Sequence, residues 1–128
     1  MSAESRTVSL VLPAEWVLTS NGRYHHMARA GRTEKIRTAF ADAADDMAPL
    51  TTPVTAEYVL EFKRGHRRDS PNWSPTFKAA LDGLVDAGVI EDDDDRHVRP
   101  TVIQPHEVDN QLPAQHIRLT ITLTEAPQ

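Results

Sequence analysis

The sequence predicts an α/β (α+β) domain in which a small mixed β-sheet of about four strands carries two helices on one face, in the order β-α-β-α-β-β. Three observations lead there. Residues 116–124 alternate strictly, with Ile117, Leu119, Ile121 and Leu123 set between polar neighbours, the period of a half-buried strand. Apolar side chains recur at Phe77, Leu81, Leu84 and Val85, the spacing of one helical face. Strand-like and helix-like segments also take turns along the chain, with no internal repeat or linker between them.

In order, residues 7–12 are β-branched and loosely alternating, a strand that Pro13 ends. Residues 14–32 carry the Asn21-Gly22 turn signal and no clear period, so they read as a loop. A helix is expected over 33–47, with Thr33 as its cap, Ile36, Phe40, Ala43, Ala44 and Met47 on its apolar face, and Pro49 beyond its end. Residues 54–62 alternate as a strand. The second helix, over 75–87, has Ser74 as expected N-cap, Pro75 at its first position and Gly88 placed for a left-handed cap. Its Lys78, Asp82 and Asp86 are spaced four apart and form a polar flank. Residues 98–103 are a short strand holding Pro100, which places it at a sheet edge. Residues 104–115 read as a polar loop before the final strand.

At 128 residues and 39% hydrophobic composition the chain is expected to be a single domain over residues 1–128, enough for one core. The absence of cysteine excludes disulfides, thiolate zinc sites and a cysteine nucleophile. No apolar run approaches the ~20 residues of a membrane span, and the first residues lack a signal-peptide core, so a cytoplasmic protein is expected. His25 and His26 are adjacent and lack a third ligand at helical spacing, so zinc is not expected there.

Charge is distributed unevenly. The formal net charge of -5 argues against a nucleic-acid partner, but nine of the fourteen basic residues lie in two short stretches. One holds Arg23, Arg29, Arg32, Lys35 and Arg37; the other holds Lys63, Arg64, Arg67 and Arg68, and leads directly to Asp69. Past the second helix come Glu91, Asp92, Asp93, Asp94 and Asp95. Gathered carboxylates repel one another, so such a run is either neutralised by a cation, magnesium or manganese for an all-oxygen set, or left in solvent as a charged loop. Basic rims around an acidic centre are what a metal-dependent nuclease would show.

Taken together, these residues resemble the RusA-like Holliday junction resolvases, magnesium-dependent endonucleases found mainly in phages and prophages. Arg67, Arg68 and Asp69 match the arginine-flanked acid of that family, Asn72 its asparagine, and Lys78 the lysine on the following helix. Asp82 and Leu84 match its D-x-L, Gly88 its glycine, and Asp92 with Asp93 its closing pair. The chain departs from the pattern at Pro71, where the family has a second acid, and in a longer interval from Asn72 to Lys78. Asp82, Glu91, Asp94 and Asp95 are the carboxylates that could substitute.

The resemblance implies hydrolysis of DNA phosphodiesters at four-way junctions by a homodimer. Asp69 and Asp93, with Asp92 as a close alternative, would hold Mg²⁺ or Mn²⁺, and Lys78 would supply positive charge to the transition state. Arg67, Arg68, Arg23, Arg29 and Arg32 would hold the DNA backbone, with Asn72 and Asp82 supporting the site. Asp69 is then expected within roughly 4 to 6 Å of Asp92 or Asp93, inside one chain or across a two-fold axis, the spacing of ligands on a shared ion. Two other readings stand beside this one. The first is a non-catalytic junction-binding or phage accessory protein whose site Pro71 has broken; the second is an acidic protein-interaction domain.

Overall fold

The structure is a computed structural model that describes residues 4–19, 26–65 and 73–126. Strand β1 (Ser5–Pro13) is followed by a 3₁₀ turn, Ala14–Trp16, and by helix α1 (His26–Ala43). Then come β2 (Val54–Phe62), α2 (Ser74–Asp86), β3 (Val98–Ile103), the two-residue β4 (Glu107–Val108) and β5 (His116–Glu125). These strands form one mixed sheet in the order β1-β5-β2-β3, with β4 also paired to β2.

The sequence-predicted class and element order hold, and the strand with the clearest alternation is interior. β5 runs antiparallel to both β1 and β2, and its Ile117, Leu119, Ile121 and Leu123 are all buried against the helices. β3 and β4 share the far side of β2: β3 pairs in parallel with its first half, from Val54↔Val98 to Tyr58↔Ile103, and β4 with its end, Phe62↔Val108. The sheet is therefore four positions wide although it has five strands. β3, with its Pro100, is at the edge, as its sequence requires.

One sheet face makes the core, where Val8, Leu12, Val54, Ala56, Tyr58 and Leu60 meet Ile36 and Phe40 of α1 and Phe77, Leu81 and Leu84 of α2. The other face is polar, as one side of an antiparallel sheet can be. There Ser9 and Thr120 share a hydrogen bond of 2.8 Å, and Arg118 donates to Glu61 and Asp109 at 3.0 and 2.9 Å.

The structure departs from sequence expectation in four places. α1 begins at His26 and not at Thr33, because its first turns carry little apolar surface and so no legible period, and it ends at Ala43 and not at Met47, the chain leaving the helix through a turn at 44–46. The N-cap of α2 is Trp73 without a side-chain cap bond, and Ser74 is the first helical residue. β4 lies inside the expected loop, since so short a strand exists only by pairing with β2. Arg37, from the first basic stretch, donates two hydrogen bonds to Asp86, of 2.6 and 2.7 Å, and braces α1 to α2. The Gly88 expectation holds: its φ is +82°, and the N–H groups of Gly88 and Val89 close the helix onto Val85 and Leu84.

Gly83 sets how closely the helices approach. A Cβ there would lie 2.4 Å from the Arg37 carbonyl oxygen and 2.9 Å from the Phe40 Cβ. Thr76, fully buried in the first turns of α2, holds the segment after the 3₁₀ turn: its hydroxyl accepts from the Leu18 N–H and donates to the Leu18 carbonyl, both at 2.7 Å.

Gly83→Ala is expected to destabilise by about 1–3 kcal/mol in urea unfolding, because the obstructing oxygen is backbone and overpacking outweighs the ~1 kcal/mol that alanine gains in a helix. An unchanged midpoint would mean that the helices slide apart freely. Thr76→Val should cost about 1–3 kcal/mol by stranding two buried backbone groups, and Thr76→Ser should recover most of it.

Candidate active site

Two buried apolar residues decide where the acidic run goes. After the turn at Gly88, Val89 and Ile90 enter the core, and the Val89 carbonyl accepts from the Leu50 N–H at 2.8 Å. Eight residues after Ile90, Val98 is buried again at the start of β3. Residues 91–97 therefore form a short excursion pinned at both ends, alongside α2.

Within it, neighbouring carboxylates part company. Asp93 turns to α2 and accepts a hydrogen bond from the Lys78 ammonium, which also donates to Asp82 at 2.7 Å. Asp92 caps the Asp93 N–H at 2.7 Å and faces another set, in which ligand atoms of Asp92, Asp94 and His97 all lie within 4.8 Å of one another. His97 sits between acids, its Nδ1 2.5 Å from Asp94 and its Nε2 3.2 Å from Glu91. Asp94 also accepts from the Arg96 N–H, a local turn that lets the chain enter β3.

The charges respond accordingly. The hydrogen bond from Lys78 holds the Asp93 carboxyl below the usual carboxylate range, against the opposing effect of burial. Burial lowers the affinity of Lys78 for its proton, but the hydrogen bonds to Asp82 and Asp93 outweigh it and the net shift is upward. Asp94 raises the His97 pKa, since an imidazolium can donate where carboxylates accept.

Beside Lys78 and Asp93 a pocket of about 250 Å³ opens between α2 and β3. Tyr58, Phe77, Leu81, Val98 and Ile103 give it apolar walls, and Ser74, Thr101 and Asp95 add polar atoms. Tyr58 stacks on Phe77 with ring centroids 4.8 Å apart. Burial, then the charges of Asp93 and Asp82, push its hydroxyl pKa far up, so it stays a donor.

Of the residues singled out in the sequence, the fold brings Lys78, Asp82 and Asp93 together and turns Asp92 elsewhere. Asp69, Arg67, Arg68, Asn72, Pro71, Arg23 and His25 lie outside the described residues, and with them the expected approach of Asp69 to Asp92 or Asp93. Arg29 and Arg32 are half-buried on α1. Lys63, from the second basic stretch, donates to the carbonyls of Asn110 and Leu112 at 3.0 and 2.7 Å and so holds the loop before β5. Sequence reasoning missed His97 and Tyr58. His97 follows Asp94 by three residues, a spacing that could have flagged it, whereas Tyr58 reads only as a buried strand position.

As a cation site the set is mixed. Asp92, Asp94 and His97 offer two carboxylates and one imidazole, donors that suit Mn²⁺ better than Mg²⁺. Asp93 already has Lys78 as a counter-charge on one oxygen. No protein-family model matches the chain, and no curated protein matches it. Among the described residues no helix is long and apolar enough to cross a membrane.

Carboxyl NMR titration should place the Asp93 midpoint below 3.8, and Lys78→Met should raise it. Because the folded value lies below the unfolded one, the stability contributed by this pairing is present above the ordinary carboxylate range and is lost as pH falls through the folded value. A midpoint indifferent to Lys78→Met would mean that the two side chains do not pair in solution.

Proposed function

We propose that the chain is a RusA-like, metal-dependent endodeoxyribonuclease that cuts four-way DNA junctions in the cytoplasm, acting as a homodimer. The observation that carries this reading is the meeting of Lys78 with Asp93. These residues stand fifteen apart in the chain and are separate elements of the resolvase-like pattern, yet they face one another beside an open pocket. Ser74 lines the same pocket and follows Asp69, the first acid of the pattern, by five residues in the sequence.

In this proposal Asp69 and Asp93 hold the cation, Mg²⁺ or Mn²⁺, with Asp92 as the alternative to Asp93. When bound, the cation supplies a water acidic enough to ionise near neutral pH and a positive charge for the phosphate. Lys78 does two jobs: it fixes the orientation of Asp93, and its ammonium lies where negative charge grows on the phosphate. Asp82 holds Lys78 on the helix flank. Arg67, Arg68, Arg23, Arg29 and Arg32 grip the DNA backbone without reading sequence. A four-way junction has two-fold character and needs two cuts, which a two-fold dimer supplies.

A second reading has its own support. Pro71 replaces an acid of the pattern, and Lys78 already neutralises Asp93. A chain so arranged could hold a junction without cutting it.

Cleavage of a synthetic four-way junction, measured with and without Mg²⁺ or Mn²⁺, separates the two. The nuclease reading expects cation-dependent nicking that Asp69→Asn or Asp93→Asn abolishes while junction binding is kept or tightened, because each variant removes a negative charge facing phosphate. Tight binding without nicking in either cation supports the binding protein. Arg67→Ala with Arg68→Ala should weaken binding and lower the salt slope by about 0.9 per lost phosphate contact; an unchanged slope removes both from the DNA-contacting set.

A further inference from the structure

β1 stands at an end of the sheet and pairs on one side only, with β5. Two bonds bracket that ladder, from the Glu125 N–H to the Glu4 carbonyl at 2.9 Å and from the Ala14 N–H to the Gln115 carbonyl at 2.8 Å. Bonded pairs alternate along an antiparallel ladder, so Arg6, Val8, Leu10 and Leu12 are the residues bonded to β5 and the backbone groups of Ser5, Thr7, Ser9 and Val11 point outward. Among the described residues those of Thr7, Ser9 and Val11 have no partner, whereas the Ser5 carbonyl accepts from Arg6 at 2.8 Å. Proteins guard such an edge with a lysine, a proline, a bulge or an inward-pointing charge. Residues 7–12 have none of these, and their register with β5 is unbroken. Arg6, the nearest charge, is held by the Ala48 carbonyl and by Glu4. Val11 is 44% exposed, and Leu10, on the core side, is only half-buried.

The helix layer is open at the same border. α1 contacts β1 and the 3₁₀ turn after it, and the contacts fix its direction: Lys35 lies over the Trp16 ring at one end of β1, and Ala48, past the end of the helix, meets Arg6 at the other. α1 therefore runs opposite to β1. Its Arg37 and Phe40 face α2, which leaves Lys35, Ala39 and Asp42 on the flank away from α2, along a groove with Trp16. Strands repeat every ~4.8 Å and packed helices every ~8–10 Å, so each helix covers two strands. The sheet is four positions wide and carries two helices, so a second sheet joined at β1 would continue the helix layer at the same spacing.

We infer that the β1 edge is an interface between two copies of this chain, which pair their β1 strands antiparallel about a two-fold axis at Ser9 and merge their sheets into one. In this register Ser9 faces Ser9 of the other copy and Thr7 faces its Val11, so every outward group of the three residues is bonded and the Ser5 carbonyl is left to Arg6. On the core side Val8 of one copy meets Leu10 of the other, which extends the apolar layer across the axis. The two copies of α1 then run antiparallel. Lys35 of each comes toward Asp42 of the other, and the small Ala39 between them lets the helices approach. This charge pattern favours a second copy over an unrelated strand, because reversing α1 about the axis sets its cation against its anion. Stable interfaces bury ~1,200–2,000 Å² in total, to which the strand edges contribute part and the helix flanks the rest. The inference goes beyond the proposed nuclease, since it stands on the edge and requires no catalysis; where both hold, it supplies the axis that relates the two cuts.

Sedimentation velocity of the full chain over a range of concentrations tests this, with no DNA present. A dimer is expected. Ser9→Pro removes an outward N–H that β5 does not use, and Val11→Lys sets a charge on the edge; each should raise the dimer dissociation constant at least roughly tenfold while leaving the far-UV circular dichroism unchanged. A cross-link provides a check that does not depend on how the proline variant folds. The chain has no cysteine, so Ser9→Cys offers a single thiol, and a short bis-maleimide should join two copies through it. Glu57→Cys, exposed on β2 and two strands away from the edge, should stay unlinked. A chain that is monomeric at every concentration overturns the inference. So does a dimer that both edge variants leave intact and Ser9→Cys fails to link, since its axis then lies elsewhere. Junction cleavage is read separately: an edge-paired dimer that cuts no junction keeps the interface and removes the nuclease, and cleavage by a chain paired through another surface does the reverse.

Discussion

The burial of Val89 and Ile90 just past the Gly88 turn is the constraint on which the candidate site depends. An acidic run on a free loop would spread into solvent, because its members repel one another. Here the two apolar residues are drawn into the core and Val98 is drawn in again at β3, so the intervening segment has no freedom to leave the flank of α2. Hydrophobic burial thus supplies the free energy that holds charge against charge. Lys78 then lies within reach of Asp93 and relieves part of the repulsion. The site is a consequence of packing first and of electrostatics second.

The same logic divides the five consecutive acids. Asp93 turns toward the pocket and its lysine, whereas Asp92 and Asp94 turn toward His97. Two sets result, one with an internal cation on Lys78 and one with an imidazole whose proton the neighbouring carboxylates hold. A sequence pattern that treats Asp92 and Asp93 as an equivalent pair cannot see this, because adjacent side chains outside a helix diverge.

The basic residues divide as well. Arg37 joins α1 to α2 through Asp86, and Lys63 secures the loop ahead of β5. Clustering in the sequence thus mixes cations that build the fold with any that face a partner. The brace at Arg37 stands where the missing Cβ of Gly83 leaves room for the Arg37 carbonyl, so helix packing and ion pairing reinforce one another there.

What the sequence by itself determined is the set of elements whose burial is periodic. The 116–124 strand, the 54–62 strand and the helix ending at Gly88 announce themselves because each must present one apolar face to a core, and a single face imposes a period. The mixed sheet with two helices on one side follows from their order. The first turns of α1, from His26 to Arg32, left no such trace, and β4 is too short to carry one. The tertiary structure alone decided which polar groups meet. The partnership of Lys78 with Asp93, the grouping of His97 with Asp92 and Asp94, and the turning of the Tyr58 ring into a pocket all depend on how α2 lies against β2 and β3. Polar contacts between distant segments impose no period on either segment, and they come into being only when the core has placed the backbones that carry them.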